Sequence, residues 1–236
     1  EIINKYSKQF PKLFKILKCG TWGAAAARNM GVEKARGKYI WFIDADDEIT
    51  PDAIKKLLNE TRKTNADFVM LGATKKFLDG HTQYLKALNP ADPEFKGRFV
   101  RSGLGPWQVI IKRKWYIENN FAFKEGIIHE DMEMMPALIL YTDNFAAVDE
   151  PLYYYYETPG SVLHKNKWDP HYLDIFPALG GVYGRFKKAK SLTKYHDTLE
   201  WFFIWNLLID SANDFTKAKA GHVGFKRSRE MLKQYF

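Results

Sequence analysis

An α/β fold is what this sequence predicts: a mixed, mainly parallel sheet flanked by helices, with a C-terminal helical appendage. Three observations carry the prediction. Over the first third of the chain, short apolar or β-branched runs alternate with helix-forming segments, the pattern of strand–helix–strand units. A cluster of carboxylates, Asp44-Ala-Asp46-Asp47, follows directly on one of those strands. From Trp168 onward, aromatic and aliphatic residues recur at helical spacing instead.

The elements follow in order. The chain opens inside what reads as the end of an amphipathic helix, Ile2-Ile3-Asn4-Lys5-Tyr6. Residues 13–17, an apolar run broken by Lys15, read as a strand. Gly20 and Gly23 punctuate a loop. The helix-forming run Ala24-Ala25-Ala26-Ala27 then starts a helix over 24–36, ended by Gly37. Residues 39–43 are a buried strand. Thr50-Pro51 signal a helix start, Thr as cap and Pro at the first helical position. That helix runs to Lys63 with Ile54, Leu57 and Leu58 on one face. Residues 67–71 form another buried strand.

The middle of the chain is less regular. Residues 74–103 mix charge, Gly and Pro and read as a hairpin or mobile loop. Residues 107–111 read as a strand, 112–119 as a turn of helix, and 130–141 as a helix offering Met132, Met135, Leu138 and Ile139 for packing. Residues 145–156, dense in tyrosine, are a strand pair or one long strand. Tyr172, Ile175, Phe176, Leu179 and Tyr183 mark one C-terminal helix. Leu199, Phe202, Phe203, Leu207 and, less strictly, Ile209 mark the next, and the basic segment 225–235 a last one.

Composition narrows the function. The chain has 236 residues, enough for a real core. Its single cysteine, Cys19, rules out an internal disulfide and fits a reducing compartment. No apolar run approaches membrane-spanning length. The net charge of +8 favours anionic partners: phosphates, nucleic acid or an anionic membrane surface. Aromatics and lysines interleave, but no nucleic-acid motif is present, so nucleic acid is not an expected partner. The basic helices near 217–233 suit a peripheral membrane contact, and the aromatic-rich C-terminal helices suit a homodimer.

The carboxylate cluster carries the chemistry. Open α/β sheets bind ligands outside the carboxyl ends of their strands, where these acids stand. In an extended segment Asp44 and Asp46 would point the same way and could share one cation or sugar hydroxyl. Hard carboxylate oxygens suit Mg²⁺ or Mn²⁺, which complete their shells with substrate phosphates. Asp is also a turn and cap residue, and from the stretch alone a plain surface turn is the better reading. An EF-hand is excluded, because Ile49 stands where that loop needs its glycine.

Four stretches together resemble the family 2 glycosyltransferases with the GT-A fold. Gly23-Ala-Ala-Ala-Ala-Arg28-Asn29-Met-Gly31 is similar to the family's Ala-Arg-Asn-x-Gly helix. Gly37-Lys-Tyr39-Ile-Trp-Phe42-Ile-Asp44-Ala-Asp46-Asp47 is similar to its Gly-x-Tyr-Ile-x-Phe-x-Asp-x-Asp-Asp strand. Glu125-Gly126 followed by Glu130-Asp131 resembles its Glu-Gly and Glu-Asp element, and Leu152-Tyr-Tyr-Tyr-Tyr156 with Ser161 its Leu-Tyr-x-Tyr strand and loop. The resemblance covers roughly residues 20–165 and implies a GT-A-like domain over 1–165 with a helical extension over 166–236.

The resemblance implies inverting transfer of a sugar from a nucleotide-sugar donor, a UDP-sugar foremost. The acceptor is a polysaccharide or glycolipid precursor, handled in the cytoplasm or at the inner face of the membrane. Asp46 would hold Mn²⁺ or Mg²⁺ bridging the donor diphosphate. Asp44 would contact the ribose or share the cation, and Arg28 would face the nucleotide. Asp47 is a candidate for either the site or a helix cap. Asp131 is the candidate general base, with Glu130 orienting it or exchanging roles with it. His164 is a weaker candidate for diphosphate or cation contact. Trp107 and the tyrosines could stack on a sugar, with core packing as the default.

Two departures stand out. The family opens with a strand ending in a Pro-x-Tyr-Asn-like turn, a helix, and a strand ending in Asp-Asp-Gly-Ser. Nothing here matches them, so the chain reads as lacking the first strand–helix–strand unit. At Thr21-Trp22-Gly23 the family often has Asn-x-Gly, and Trp22 is bulky there. A non-catalytic nucleotide- or sugar-binding scaffold on the same fold is the competing expectation.

Overall fold

A computed structural model describes residues 2–20, 23–158, 170–216 and 221–236. Thr21, Trp22, Ser161 and His164 lie outside the described residues. The first helix, α1 (Ile2–Gln9), buries none of its residues. No strand forms over 13–17: among the described residues no neighbouring strand supplies a ladder, and Leu13, Phe14 and Ile16 stay 81%, 45% and 48% exposed.

Helix α2 (Ala24–Lys34) follows, N-capped by Gly23 at φ 113°. It stops two residues short of the predicted end because Ala35 is already extended. Strand β1 (Tyr39–Trp41) leads into the acidic turn, and β2 (Glu48–Ile49) leaves it. Helix α3 (Ala53–Thr64) starts after Pro51 rather than at it, with Asp52 at the cap. Its buried stripe is Ala53, Leu57 and Thr61, spaced i, i+4, i+8; Ile54 and Leu58 flank the stripe at 56% and 37% exposure.

Strand β3 (Phe68–Lys76) is the centre of the sheet. Its first six residues are all buried, as in a strand covered on both faces. Phe68 and Met70 face one hydrophobic cluster and Val69 and Leu71 the other, following the period of two. β4 (Thr82–Leu85) returns as a hairpin on β3, so the irregular middle does contain one. Helix α4 (Phe95–Arg101), β5 (Val109–Lys112) and α5 (Arg113–Glu118) follow. Helix α6 (Glu130–Met134) then gives way to a 3-10 segment over Met135–Leu140. The predicted single helix breaks there because Pro136 has no N–H and its ring clashes with the preceding turn. β6 (Phe145–Tyr156) is one long strand.

The described strand order is β1-β5-β3-β6-β2, with β4 on β3. β3 and β6 pair parallel; the other four pairings are antiparallel. The sheet is therefore mixed as expected but not mainly parallel in its pairings. β1 and β3 do run the same way, as a strand–helix–strand unit requires, but β5 is inserted antiparallel between them. Periodicity fixes strand direction and does not reveal an inserted neighbour.

Against β6, β3 slips register at Gly72, opposite Pro151. A side chain at Gly72 would stand 2.6 Å from the Tyr84 hydroxyl and 2.7 Å from the Glu150 carbonyl oxygen. Glycine here permits a bulge and a close backbone approach.

Helix α3 covers one face of the sheet through Ala53 and Leu57. The other face packs on α4, α6 and the C-terminal helices α7 (Ile175–Lys188) and α8 (His196–Ile204) in one continuous cluster. α8 continues through a π turn, Trp205–Asp210, to α9 (Ala212–Thr216), and α10 (Gly221–Tyr235) closes against it. Gly224 permits that closure, since a Cβ would lie 2.5 Å from the Phe215 ring. Among the described residues no helix is long and apolar enough to cross a membrane.

Candidate active site

Helix α2, the turn after β1 and the start of α6 converge on Arg28. Its Nη2 donates to Asp44 Oδ1 at 3.0 Å and its Nη1 to Glu130 Oε1 at 2.6 Å. The guanidinium lies 5.3 Å from the centre of the Phe123 ring. Arg28 and Glu130 side chains are only 14% and 10% exposed. The next residue fixes the same approach: Asn29 Nδ2 donates to the Phe123 carbonyl at 2.9 Å, and Phe123 N–H donates back to Asn29 Oδ1 at 2.9 Å. The Arg-Asn pair thus docks the 123–131 segment onto α2.

The acidic stretch is a turn rather than an extended segment, with Asp47 N–H reaching the Asp44 carbonyl at 3.3 Å. Asp44 and Asp46 consequently take different partners. Asp44 accepts from Arg28, while Asp46, exposed, accepts from the Thr158 hydroxyl at 3.1 Å. Asp47 does not cap α3. It accepts from the Tyr153 hydroxyl at 2.6 Å and from Tyr156 N–H at 2.9 Å. The same Tyr153 oxygen accepts from Asp44 N–H at 3.1 Å. One core tyrosine therefore pins both ends of the turn to β6.

Burial and charge oppose each other here. Burial pushes the Asp131 carboxyl above its usual range, and the positive Arg28 and the neighbouring His129 pull it back only partly. Glu130 is raised by burial and then by Asp131, against the pull of Arg28. Asp47 is raised by burial despite its two donors. Arg28 feels burial against its charge, but Asp44, Glu130 and Asp131 outweigh it and hold the guanidinium firmly protonated.

Among the described residues no three Asp, Glu, His or Cys side chains gather into a metal cage. Asp46, an exposed hard carboxylate on this turn, does fit Mg²⁺ or Mn²⁺, which bind through one or two carboxylates plus water and substrate phosphates. Beside the turn, α2 and the edge strand β1 enclose a groove of about 660 Å³ that Arg28, Gly31 and Asp44 line. Asp131 lines another groove, of about 650 Å³, together with Lys75, Trp107 and Tyr155. Trp107 is 8% exposed and stacked between Tyr153 and Tyr155, at 4.7 and 5.3 Å.

Five sequence candidates therefore fall in one region: Arg28 joins Asp44 to Glu130, Asp131 adjoins Glu130, and Asp46 stands on the Asp44 turn. The sequence reading did not single out Tyr153, Asn29 or Lys75. The alternation of Tyr153 and Tyr155 along β6 is the signal that could have found the first. The reciprocal Asn29 contact leaves no pattern outside its motif.

The sequence model of a family described as glycosyl transferase family 2 matches residues 1–120. An uncharacterized glycosyltransferase of Escherichia coli K12, YibD, is 27% identical over 197 residues, 74% of this chain and 56% of that protein. EpsJ of Bacillus subtilis 168, also an uncharacterized glycosyltransferase, is 26% identical over 80% of this chain and 58% of its own length. A cholesterol galactosyltransferase of Borreliella burgdorferi is 23% identical over 86% of this chain and 62% of its own. The chain thus spans a little over half the length of these relatives. In fold it is similar to residues 1–349 of S. aureus TarS in complex with UDP-GlcNAc, with a TM-score of 0.75 at 14% identity, covering 100% of this chain and 69% of that one. The UDP complex of the same protein gives 0.72 at 17% identity, covering 99% of this chain and 69% of that one.

Proposed function

Because the chain belongs to glycosyl transferase family 2, we propose that it is the catalytic part of a metal-dependent, inverting glycosyltransferase of hexosyltransferase type. In this reading it moves a sugar from a nucleoside-diphosphate sugar to a saccharide or glycolipid acceptor. The observation that carries it is the Arg28 bridge, which joins the acidic turn to the Glu130-Asp131 pair. Both TarS neighbours are complexes with UDP or UDP-GlcNAc, which favours a UDP-sugar as donor.

The donor lies against the acidic turn, with Asp44 at the ribose or sharing the cation and Asp46 holding Mn²⁺ or Mg²⁺. When bound, the cation offsets charge on the leaving diphosphate. Arg28 keeps Asp44 and Glu130 in register at the donor's edge. Asp131 takes the proton from an acceptor hydroxyl lying in the groove it faces. The hydroxyl oxygen bonds to the anomeric carbon on the side away from the diphosphate. The bond to the diphosphate oxygen breaks, its electron pair leaves with the nucleoside diphosphate, and the anomeric configuration inverts. The raised Asp131 carboxyl is a stronger base than an exposed one when it is ionised.

Calorimetric titration with UDP, with and without Mn²⁺, tests the donor site. The expected result is Mn²⁺-dependent binding that Asp46→Ala removes. Equal binding by Asp46→Ala, or binding indifferent to Mn²⁺, would overturn the assignment of the turn.

A further inference from the structure

The groove that Asp131 faces has a wall suited to more than a neutral sugar. Lys75, on the central strand β3, is half-buried beside two aromatic rings. Its Nζ lies 4.3 Å from the centre of Phe77 and 5.7 Å from that of Tyr155. Lys86, beyond the end of β4, lies on the same groove. Neither lysine has an ion-pair partner among the described residues, whereas Lys56, Lys96 and Lys112 each have one. The nearby carboxylate, Asp149, is engaged by the Tyr84 hydroxyl at 2.7 Å and Ala87 N–H at 3.0 Å. The groove lining thus combines a carboxylate, Asp131, the partly exposed ring of Tyr155, and cations without counter-ions among the described residues. A half-buried ammonium loses hydration on folding, and an anionic ligand restores what it lost.

We propose that this groove receives the acceptor, and that Lys75, assisted by Lys86, selects an acceptor bearing an anionic group close to the hydroxyl that reacts. The inference rests on the glycosyltransferase reading above and names its acceptor class: a phosphorylated or carboxylated saccharide or polyol. Lys75 takes the charge, and Asp131 the hydroxyl proton. Phosphate and carboxylate are both served by an ammonium, because it is a point charge without a fixed fork.

The test is binding of three probes of matched shape: methyl glucoside 6-phosphate, methyl glucuronide and methyl glucoside. Each is titrated by NMR into the chain and into Lys75→Met, Lys75→Arg and Lys86→Met. At least one anionic probe is expected to bind about tenfold or more tightly than the neutral one at low salt, and the stronger of the two identifies phosphate or carboxylate as the natural charge. The preference should fall about tenfold in Lys75→Met, persist in Lys75→Arg, and weaken as salt rises. UDP affinity should be the same in all four proteins. Equal binding of all three probes, or an anion preference unaltered in Lys75→Met, would overturn the inference whatever UDP does. Loss of Mn²⁺-dependent UDP binding in the unmutated chain would overturn the donor-site reading instead. The two failures are therefore distinguishable.

Discussion

Arg28 and Glu130 stand 102 positions apart in the chain and meet at 2.6 Å. Nearly all of both side chains is withdrawn from water, so neither charge is easily left alone. Arg28→Met is expected to destabilise the fold by about 2–4 kcal/mol, the usual cost of leaving one member of a buried pair uncompensated. Glu130 protonates above its ordinary 4.5 in the folded state. The folded state therefore gains stability as pH falls through that raised value towards 4.5, and a neutral Glu130 needs no partner. Urea unfolding at pH 7 and pH 5 should show the Arg28→Met penalty shrinking at the lower pH.

Asp131→Asn should separate catalysis from stability. Its folded-state value is raised above 3.8, so the carboxyl costs stability at neutral pH and the cost fades as pH falls towards 3.8. The Asn variant should melt higher than the parent at pH 7 and no higher near pH 3.5. Sugar transfer should fall about 10²–10⁴-fold, with UDP affinity unaltered. In the parent, kcat/KM should drop on acidification with a midpoint above 3.8.

Tyr153→Phe removes one hydroxyl that serves both Asp44 and Asp47. The ring stays in place, since Tyr153 is fully buried and stacked on Trp107. A loss of about 1–2 kcal/mol is expected by chemical denaturation, the cost of an unmatched charged acceptor. Asp47 also loses a donor that favours its ionised form, so its raised value climbs further. Mn²⁺-dependent UDP binding should weaken, and should fail at higher pH on acidification than in the parent.

Gly72→Ala probes the bulge under the hairpin. Tyr84 could swing away from the new methyl group, but the Glu150 carbonyl belongs to the backbone of β6 and cannot. A cost of about 1–3 kcal/mol is expected from overpacking. Tyr84 is held to about 12 by burial and by its bond to Asp149. Ultraviolet titration should show a tyrosine ionising at lower pH in Gly72→Ala, because that bond is broken.

Much of this was legible in the chain, for reasons that can be assigned. Residues 39–43 announce a strand, which forms over Tyr39–Trp41 around the buried Ile40 and stops before the exposed Ile43, and Asp44 to Asp47 announce the turn that follows it. The C-terminal spacing of Ile175, Phe176 and Leu179 translates directly into the buried stripe of α7. What was not legible depends on neighbours. Residues 13–17 have strand composition but no ladder. The sheet's mainly antiparallel pairing comes from β5, which enters between two strands that already run parallel, and from β4 and β2, which pair antiparallel with β3 and β6. Asp44 and Asp46 take separate partners because the turn curls, and turn geometry is invisible in a spacing of two. The bridge from Arg28 to Glu130 joins two motifs that sequence could only set side by side.

The two halves of the site are anchored differently, and this bears on how the protein can change. The acidic turn hangs from Tyr153, a residue at the centre of the smaller hydrophobic cluster, so drift in that core also disturbs the turn. The lysine-bearing wall is carried by the β3–β4 hairpin and the loop after it, where Gln83 and Lys86 are exposed and substitutions disturb little packing. Variation in that hairpin could re-aim the groove towards another partner while the carboxylates stay where they are. Selection thus has one part of this molecule to conserve and another to explore, divided along the long strand β6.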